Sequence, residues 1–191
     1  MQIIGITGGI GSGKSTICRE LAQRGYSVYD CDLEAKRLIA EDGTVRAAIT
    51  GLLGREAFEG ERYNTAYVAK RVFADPALLA QLNAIVHPAV RQDILRLKPE
   101  VIESALLYEA GLDALCDTVV VVEAPEDIRI ARTIARDYGN DASEENINKV
   151  RARIQAQANT SPSPDNKKRL TILNDGQTPI SELVQSILTN S

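Results

Sequence analysis

The pattern of apolar and polar positions alternates between short apolar runs and longer amphipathic stretches. Apolar runs at residues 2–7 and 26–29, and in the segments VIESALLYE, DTVVVVEAP and RLTIL, predict buried strands. Stretches with helical spacing separate these runs. Because strands that read as continuous apolar runs are typical of parallel sheets covered on both faces, the pattern predicts an α/β fold with helices flanking a parallel sheet.

The region between the second and third predicted strands is too long for a simple crossover. Residues 44–97 have helical character, with no convincing strand and with breaks expected at 51–60, at Asp75-Pro76 and at His87-Pro88. We therefore predict an inserted helical subdomain at about 33–97, within a single domain that spans 1–191. Further along the chain, helical segments on either side of DYGNDASEEN predict a hairpin at about 129–157.

Composition limits the class of protein. A length of 191 residues, with 44% hydrophobic and 25% charged residues, is ordinary for one globular domain. The net charge of −4 argues mildly against a protein that binds nucleic acid or membrane surfaces. Three scattered cysteines, an odd number without a CxxC pair, favour free thiols in a reducing compartment. With no targeting segment recognised, we expect a cytoplasmic protein.

The segment GGIGSGKST, between the first strand and the first helix, carries the clearest chemistry. Its spacing matches the P-loop pattern G-x-x-x-x-G-K-[ST], in which backbone N–H groups surround a polyphosphate. Lys14 is expected to neutralise the phosphate oxygens, and the Ser15 hydroxyl to bind Mg²⁺. The loop residues expected to bind ATP are Gly9, Gly11, Ser12, Gly13, Lys14, Ser15 and Thr16.

Three classes of protein share this loop: small-molecule kinases, GTPase switches, and ATPase motors or nucleic-acid enzymes. The chain has no Asn-Lys-x-Asp tetrapeptide for guanine, and VVVVEAP lacks the Asp before Glu that a motor would have. A kinase needs a carboxylate near the acceptor hydroxyl, and VYDCD supplies Asp30 and Asp32 at the end of the second strand. Asp32 could equally be a helix N-cap.

Arginines at helical spacing supply candidate cations for the migrating phosphoryl group. Arg129, Arg132 and Arg136 lie at i, i+3 and i+7 and share one face of a predicted helix. Such a hairpin could close over the phosphates as a lid. A solvated charged face is the alternative interpretation.

Taken in order, these segments closely resemble the dephospho-CoA kinase family over nearly the whole chain. GITGGIGSGKS is similar to the opening signature of that family, VYDCD to its Asp-x-Asp motif and LNAIVHP to its Leu-Asn-x-x-x-His-Pro segment. ALLYEAG, ARTIARD with RIQAQ, and LNDG resemble its third-strand segment, its lid and its late turn. Two departures are Ala105, where the family usually has Pro, and NKKRLTIL, where it often has Ala-Asp.

The resemblance implies a P-loop kinase that transfers the γ-phosphoryl group of ATP to the ribose 3′-hydroxyl of dephospho-CoA, with the helical insertion binding the acceptor and Mg²⁺ assisting. The catalytic residues would be Asp32, Lys14 and Arg132. The resemblance adds Arg136 and Asn174 to the ATP-binding residues. The acceptor-binding residues would be Thr7, Asp32, His87 and Glu109.

Other interpretations stay open from the residues alone. His87 could be fixed in a helix-breaking His-Pro turn, Glu109 could be a surface residue, and Lys167, Lys168 and Arg169 are expected to be solvated without a role. Another small P-loop kinase, acting on a nucleoside, a nucleotide or shikimate, and a nucleotide-dependent switch are the alternative functions. We expect no nucleic-acid or membrane partner, and a monomer rather than a small homo-oligomer.

Overall fold

The computed structural model describes residues 2–157 and 168–191. Seven strands and eight α-helices are present in this part of the chain. The strands are β1 Ile4–Gly8, β2 Val28–Asp30, β3 Phe58–Glu59, β4 Arg62–Tyr63, β5 Val101–Glu103, β6 Thr118–Glu123 and β7 Lys168–Leu173. The helices are α1 Lys14–Gln23, α2 Cys31–Glu41, α3 Gly43–Leu53, α4 Thr65–Phe73, α5 Pro76–Leu97, α6 Glu126–Asp137, α7 Glu144–Gln157 and α8 Ile180–Asn190.

A five-stranded sheet in the order β2-β5-β1-β6-β7 forms the centre of the fold. β1 pairs in parallel with β5 and with β6, and β6 pairs in parallel with β7. The register aligns Ile6 with Glu103 of β5 and Gly8 with Val122 of β6, so the carboxyl ends of these strands meet at one edge. The prediction of a mostly parallel sheet flanked by helices is confirmed.

The main hydrophobic core lies on the face of this sheet that α1 and α8 cover. Ile4 and Ile6 of β1 alternate onto it together with Val120 and Val122 of β6. From the helices, the core receives Ile17 and Leu21 of α1 and Leu183, Val184 and Ile187 of α8. Because this packing fixes α1 directly behind β1, it also fixes the loop that joins them.

The contacts divide the chain into two compact units. One unit comprises Met1–Tyr29 with Pro99–Ser191, and the other comprises Asp30–Lys98. The second unit has its own core, in which Ile49 and Leu53 of α3 pack with Val68 of α4 and Leu82 of α5. The predicted insertion, about 33–97, falls within this unit, and its role in acceptor binding stays a prediction.

Two predictions for this second unit are wrong. Pro88 does not break the helix: α5 runs without interruption from Pro76 to Leu97, with His87 in its interior. Proline in a helix interior removes one backbone donor at a cost of about 3 kcal/mol. The burial of Val90 and Ile94 beyond the proline offsets this cost. A two-stranded antiparallel hairpin, β3–β4, also lies where we expected no strand. Two-residue strands give too short a pattern to predict.

Three further features complete the fold. Cys18, Cys31 and Cys116 are buried and form no disulfide with one another. α6 and α7 pack against each other through Ile130, Ile134, Val150 and Ile154, and they occupy most of the range that the sequence predicts as a lid. None of the helices within residues 2–157 and 168–191 combines the length and hydropathy needed to cross a lipid bilayer.

Candidate active site

The glycine-rich loop connects β1 directly to α1. Gly8, Gly11 and Gly13 have φ values of 147°, 75° and 95°, in the region that side chains with a Cβ rarely adopt. A Cβ on Gly13 would also collide with the amide nitrogen of Asn174. Gly13 is the N-cap of α1, so the N-terminus of that helix opens onto the loop. Backbone donors and a helix dipole are thereby arranged for a polyphosphate.

Lys14 and Ser15 begin α1 and make contacts across the loop. The Lys14 ammonium donates hydrogen bonds to the carbonyl oxygens of Gly8, at 2.8 Å, and Gly9, at 3.4 Å. The Ser15 hydroxyl donates to a carboxylate oxygen of Glu103 at 2.7 Å. Glu103 is the last residue of β5, next to β1, and is only 8% exposed. The carboxylate therefore lies beside the start of the helix that follows the loop.

Ser15 and Glu103 together provide oxygen ligands of the kind that Mg²⁺ prefers. No group of three or more His, Cys, Asp or Glu side chains in the described part of the chain could hold a metal by itself. A hydroxyl and one carboxylate therefore fit an ion that takes its other oxygens from substrate phosphates and water, which is how Mg²⁺ is usually bound with nucleotides.

Ser12 has a polar atom that its surroundings leave unsatisfied. The residue is 1% exposed, and its hydroxyl makes no hydrogen bond to any of the described residues. Buried hydroxyls without a partner are uncommon, and each calls for an explanation such as a ligand or ordered water. Its place in the phosphate loop is consistent with the prediction that Ser12 binds ATP.

Arg132 of α6 and Asn174, which follows β7, contact the second half of the loop. The Arg132 guanidinium donates to the carbonyl oxygen of Ser12 at 3.3 Å and to the backbone and side-chain oxygens of Asn174, each at 3.1 Å. The Asn174 amide donates to the Ser12 carbonyl at 2.9 Å and is 2% exposed. Both residues were predicted to bind ATP or act in catalysis, and the structure places both at the loop.

The peptide of Ile10 is held from both sides by the α6–α7 pair. Its carbonyl accepts a hydrogen bond from Arg129 of α6 at 2.8 Å. Its N–H donates to the side-chain oxygen of Gln157, the last residue of α7, at 2.7 Å. Burial lowers the pKa of the Arg129 guanidinium, and nearby Glu126 partly opposes this shift. The predicted lid is thus bonded to both main-chain polar groups of Ile10, in addition to the bond from Arg132 to the Ser12 carbonyl.

Arg136 points elsewhere in this structure. It is exposed and binds Asp137, the next residue, at 2.7 Å, and Arg153 of α7 binds the same carboxylate at 2.7 Å. The hydrogen bond from Arg136 and the bond from Arg153 hold the pKa of Asp137 at about 2. The contribution of Arg136 to ATP binding therefore stays a prediction. Its observed contact lies within α6, and Arg153 is the residue that joins α7 to the same carboxylate.

Asp30 and Asp32 have different local roles. The Asp30 carboxylate caps α2 by accepting hydrogen bonds from the backbone N–H groups of Asp32 and Leu33, both at 3.0 Å. The alternative interpretation of Asp32 as the N-cap is therefore wrong. Asp32 lies in the first turn, is exposed, and makes no side-chain hydrogen bond or ion pair within the described residues. Its carboxylate lies where a negative charge favours the helix dipole, but it does not cap the helix.

A cleft of about 370 Å³ adjoins the start of the loop. Thr7, Gly8 and Gly9 contribute to its wall, and so do Tyr108 and Glu109 from the segment after β5. Thr7 and Glu109, both predicted to contact the acceptor, therefore share this cleft. His87 and Asp32, the other two predicted acceptor residues, belong to the unit Asp30–Lys98.

The sequence as a whole matches one family model. The model describes dephospho-CoA kinase, and it matches residues 2–179. The chain belongs to the dephospho-CoA kinase family. Two similar relatives are the dephospho-CoA kinases of Porphyromonas gingivalis, 45% identical over 143 residues, and of Salinibacter ruber, 43% identical over 167 residues. The first match covers 72% of this chain and 71% of the relative. The second match covers 82% of this chain and 81% of the relative.

Solved structures show the same fold. A protein of Thermus thermophilus is 31% identical, with a TM-score of 0.71 over 98% of this chain and 94% of that chain. A dephospho-CoA kinase of Campylobacter jejuni has a TM-score of 0.63 at 19% identity, over 99% and 95% of the two chains. At 19% identity, a shikimate kinase of Aquifex aeolicus, with a TM-score of 0.51 over 100% of this chain and 95% of that chain, shares the fold alone.

Two residues at this family site, Glu103 and Gln157, were given no individual role from the sequence, and Arg129 was only one of three candidate cations. Glu103 contacts Ser15, the second residue of α1, while Arg129 and Gln157 contact the loop. Glu103 had a usable signal, because an acidic residue at the carboxyl end of a strand beside β1 lies near the phosphates. Arg129 shares a helix face with Arg132, and the sequence alone did not distinguish the roles of the two arginines. Gln157 ends the segment RIQAQ that resembles the family's lid, but it was not singled out, because its contact depends on how two helices pack.

Proposed function

We propose that this chain transfers the γ-phosphoryl group of ATP to the ribose 3′-hydroxyl of dephospho-CoA, which gives coenzyme A. The observation that carries the proposal is a complete phosphate loop, in which Lys14 bonds to the Gly8 carbonyl and Ser15 to Glu103, in a chain that belongs to the dephospho-CoA kinase family. The reaction needs positioning and charge stabilisation rather than covalent chemistry by the protein. The residues around the loop are of the types required for both.

The residues on the nucleotide side are proposed to bind and stabilise the transferring group. Backbone N–H groups of the loop bind the phosphates, and the Lys14 ammonium moves from the Gly8 carbonyl to the phosphate oxygens as they arrive. Arg132 brings a second positive charge to the same loop. Charge delocalised over the migrating phosphoryl group is stabilised most by cations that are already oriented.

The acceptor side is proposed to depend on Asp32. A carboxylate within hydrogen-bond reach of the ribose hydroxyl can orient it and accept its proton as the bond to phosphorus forms. Asp30 supports this role because it caps α2 itself and leaves the Asp32 carboxylate without a structural partner among the described residues. His87, Thr7 and Glu109 are proposed to contact the acceptor as well.

Ser15 and Glu103 are the residues proposed to hold Mg²⁺ with the nucleotide. When bound, the ion neutralises charge on the phosphate oxygens. The Ser15 hydroxyl would serve as a ligand, while Glu103 accepts the Ser15 proton in its hydrogen bond and holds the hydroxyl oxygen toward the ion. The buried position of Glu103 keeps this orientation fixed.

Replacing Glu103 with Gln is expected to lower turnover about 10- to 100-fold, the usual effect of losing a residue that orients a metal ligand. Glutamine can still accept the Ser15 hydrogen bond but carries no negative charge. The Mg²⁺ concentration that gives half-maximal activity should therefore rise. Steady-state assays across a magnesium titration measure both effects. Glu182→Gln on α8, an exposed position, is the matched control, and an unaltered magnesium dependence in Glu103→Gln would exclude this role.

The proposed activity is tested with four acceptors in parallel: dephospho-CoA, AMP, uridine and shikimate. ADP release is followed by a coupled assay, with a reaction lacking acceptor as the control for hydrolysis. We expect turnover with dephospho-CoA only. Turnover with another acceptor and none with dephospho-CoA would assign the chain to a different kinase activity. Slow hydrolysis with every acceptor alike would instead favour a nucleotide switch.

The remaining expectations about cellular context stay proposals. We propose a cytoplasmic monomer whose partners are ATP and dephospho-CoA, without a nucleic-acid or membrane partner. The three buried cysteines, which form no disulfide with one another, support a protein of a reducing compartment. The net charge of −4 argues mildly against a nucleic-acid or membrane partner.

A further inference from the structure

The loop between β1 and α1 has four glycines within the six residues from Gly8 to Gly13. Glycine loses more conformational freedom on ordering than any other residue, so a loop of this composition is costly to fix in one conformation. If the phosphates alone had to order the loop, that cost would reduce the binding free energy of the nucleotide. Contacts from the protein that fix the loop therefore raise its affinity for a polyphosphate.

A turn at the centre of the loop contains one peptide whose direction matters. The Ser12 N–H donates to the Gly9 carbonyl at 3.1 Å, and Gly11 has a φ of 75° whereas Ile10 has no positive φ. A bond from residue i+3 to residue i, with a positive φ at residue i+2 alone, is typical of a type II turn. Types I and II differ mainly in the direction of the central peptide, which here joins Ile10 to Gly11. Turning this peptide over would reverse the direction of the Gly11 N–H.

Arg129 of α6 holds this central peptide. Its Nε donates to the Ile10 carbonyl oxygen at 2.8 Å. In a trans peptide the C=O and N–H bonds point in opposite directions, so the bond from Arg129 directs the Gly11 N–H away from the guanidinium. The Gly11 N–H donates to no acceptor within residues 2–157 and 168–191. It is therefore a backbone donor that a phosphate oxygen can satisfy.

Helix α6 also lies directly against the loop. A Cβ on Gly9 would collide with the Arg129 guanidinium, and a Cβ on Gly11 would collide with the main-chain carbonyl oxygen of Arg129 and the hydroxyl of Thr133. Thr133 is 1% exposed, and its hydroxyl donates to the same carbonyl oxygen at 2.7 Å. The sequence offered Arg129 as a candidate cation for the migrating phosphoryl group. Its guanidinium instead lies against Gly9 and bonds to the Ile10 carbonyl.

We propose that Arg129 is a positioning residue, which fixes the Ile10–Gly11 peptide with the Gly11 N–H directed to the nucleotide phosphates. Gln157 of α7 supports it, because its side-chain oxygen accepts the Ile10 N–H at 2.7 Å and so fixes the preceding peptide. Together the two side chains fix both peptides that include Ile10, and they lower the conformational entropy that the loop loses when ATP binds. This inference rests on the proposed function only in that the loop binds ATP.

Arg129→Gln and Arg129→Met form a matched pair, because both remove the positive charge. Glutamine has an amide nitrogen the same number of bonds from Cα as the arginine Nε and can donate to the Ile10 carbonyl, whereas methionine has a similar length and no donor. Calorimetry with a non-hydrolysable ATP analogue should give a dissociation constant about fivefold higher for Arg129→Met, the effect of one lost hydrogen bond of about 1 kcal/mol. Arg129→Gln should stay within twofold of wild type, and so should Arg19→Met, an exposed control on α1. Equal weakening in Arg129→Gln and Arg129→Met would show that the charge matters rather than the bond, and unaltered affinity in Arg129→Met would show that neither does; each result would overturn the proposal.

Gln157→Met tests the supporting bond without any change of charge. We expect the dissociation constant of the ATP analogue to rise about fivefold, again the effect of one lost hydrogen bond, and the Ile10 amide hydrogen to exchange faster with solvent. Gln155→Met, at an exposed position of the same helix, is the matched control and should change neither quantity. Unaltered affinity and unaltered exchange in Gln157→Met would remove Gln157 from this role.

Turnover assays separate positioning of the loop from a direct part in the transfer. Arg129→Met and Gln157→Met should raise the KM for ATP and leave kcat within twofold, because the binding they lose is common to the ground state and the transition state. A fall in kcat at unchanged ATP affinity would contradict a positioning role. The calorimetry needs no acceptor, so wild-type protein that binds the analogue but does not phosphorylate dephospho-CoA would overturn the proposed function alone.

Discussion

Asn in place of Asp32 is expected to reduce kcat about a hundredfold or more, the usual scale for losing a group that accepts a proton in the transition state. The amide has nearly the shape of the carboxylate but cannot take the proton of the ribose hydroxyl. ATP binding should be nearly unchanged, because the phosphate loop is built from residues 8–15. Single-turnover phosphoryl transfer and calorimetric ATP binding, measured on the same preparation, separate the two effects.

Asp42→Asn is the matched control for this variant. Asp42 caps α3 through the backbone N–H groups of Thr44 and Val45, as Asp30 caps α2. Asparagine is about as good an N-cap as aspartate, so activity and thermal midpoint should both be retained. If Asp32→Asn turned over at more than a third of the wild-type rate, the role assigned to this carboxylate would be wrong.

Lys14→Ala should impair both ATP binding and phosphoryl transfer, whereas Asp32→Asn should impair only the transfer. The ammonium is the charge nearest the loop carbonyls of Gly8 and Gly9, and no other lysine occurs in the loop. Losing one oriented donor to a migrating charged group costs about 10²- to 10³-fold in rate. We expect kcat/KM for ATP to fall by at least that factor and ATP affinity to fall with it.

The control for Lys14→Ala must show that the loop still folds. Arg19→Ala removes a positive charge from the same helix at an exposed position and should leave the kinetics unchanged. Circular dichroism of Lys14→Ala should match wild type, since the core behind the loop is formed by Ile17 and Leu21. Unaltered ATP affinity in a folded Lys14→Ala protein would contradict the assignment.

The parts of the structure that depend on local sequence were predicted well. The phosphate loop follows from glycine spacing between a strand and a helix, and β6 follows from a run of four valines. The secondary structure of such strongly patterned segments is determined mainly by residues that are close together in the sequence. The loop, the strand on either side of it and the sheet type could therefore be predicted from the chain alone.

The failures share a different cause. The prediction of a helix break at His87-Pro88 did not account for tertiary packing, which keeps α5 continuous through the proline. Asp32 was given as a possible N-cap of α2, although Asp30 caps that helix, because both aspartates suit the position by residue type. Glu103 and Gln157 reach their partners from sequence separations of 88 and 147 residues. Contacts over such distances exist only once the sheet and the helix pair have formed.

The two hydrogen bonds at Ile10 have a consequence for how this enzyme family is compared. Both bonds use main-chain atoms of residue 10, so its side chain can change without affecting them. Selection to keep these bonds would instead act on the side chains at positions 129 and 157, which are distant in the sequence. Alignments that score conservation within the glycine-rich signature would overlook this contact between the phosphate loop and the α6–α7 pair, and covariation of the two distant positions with each other would be needed to detect it.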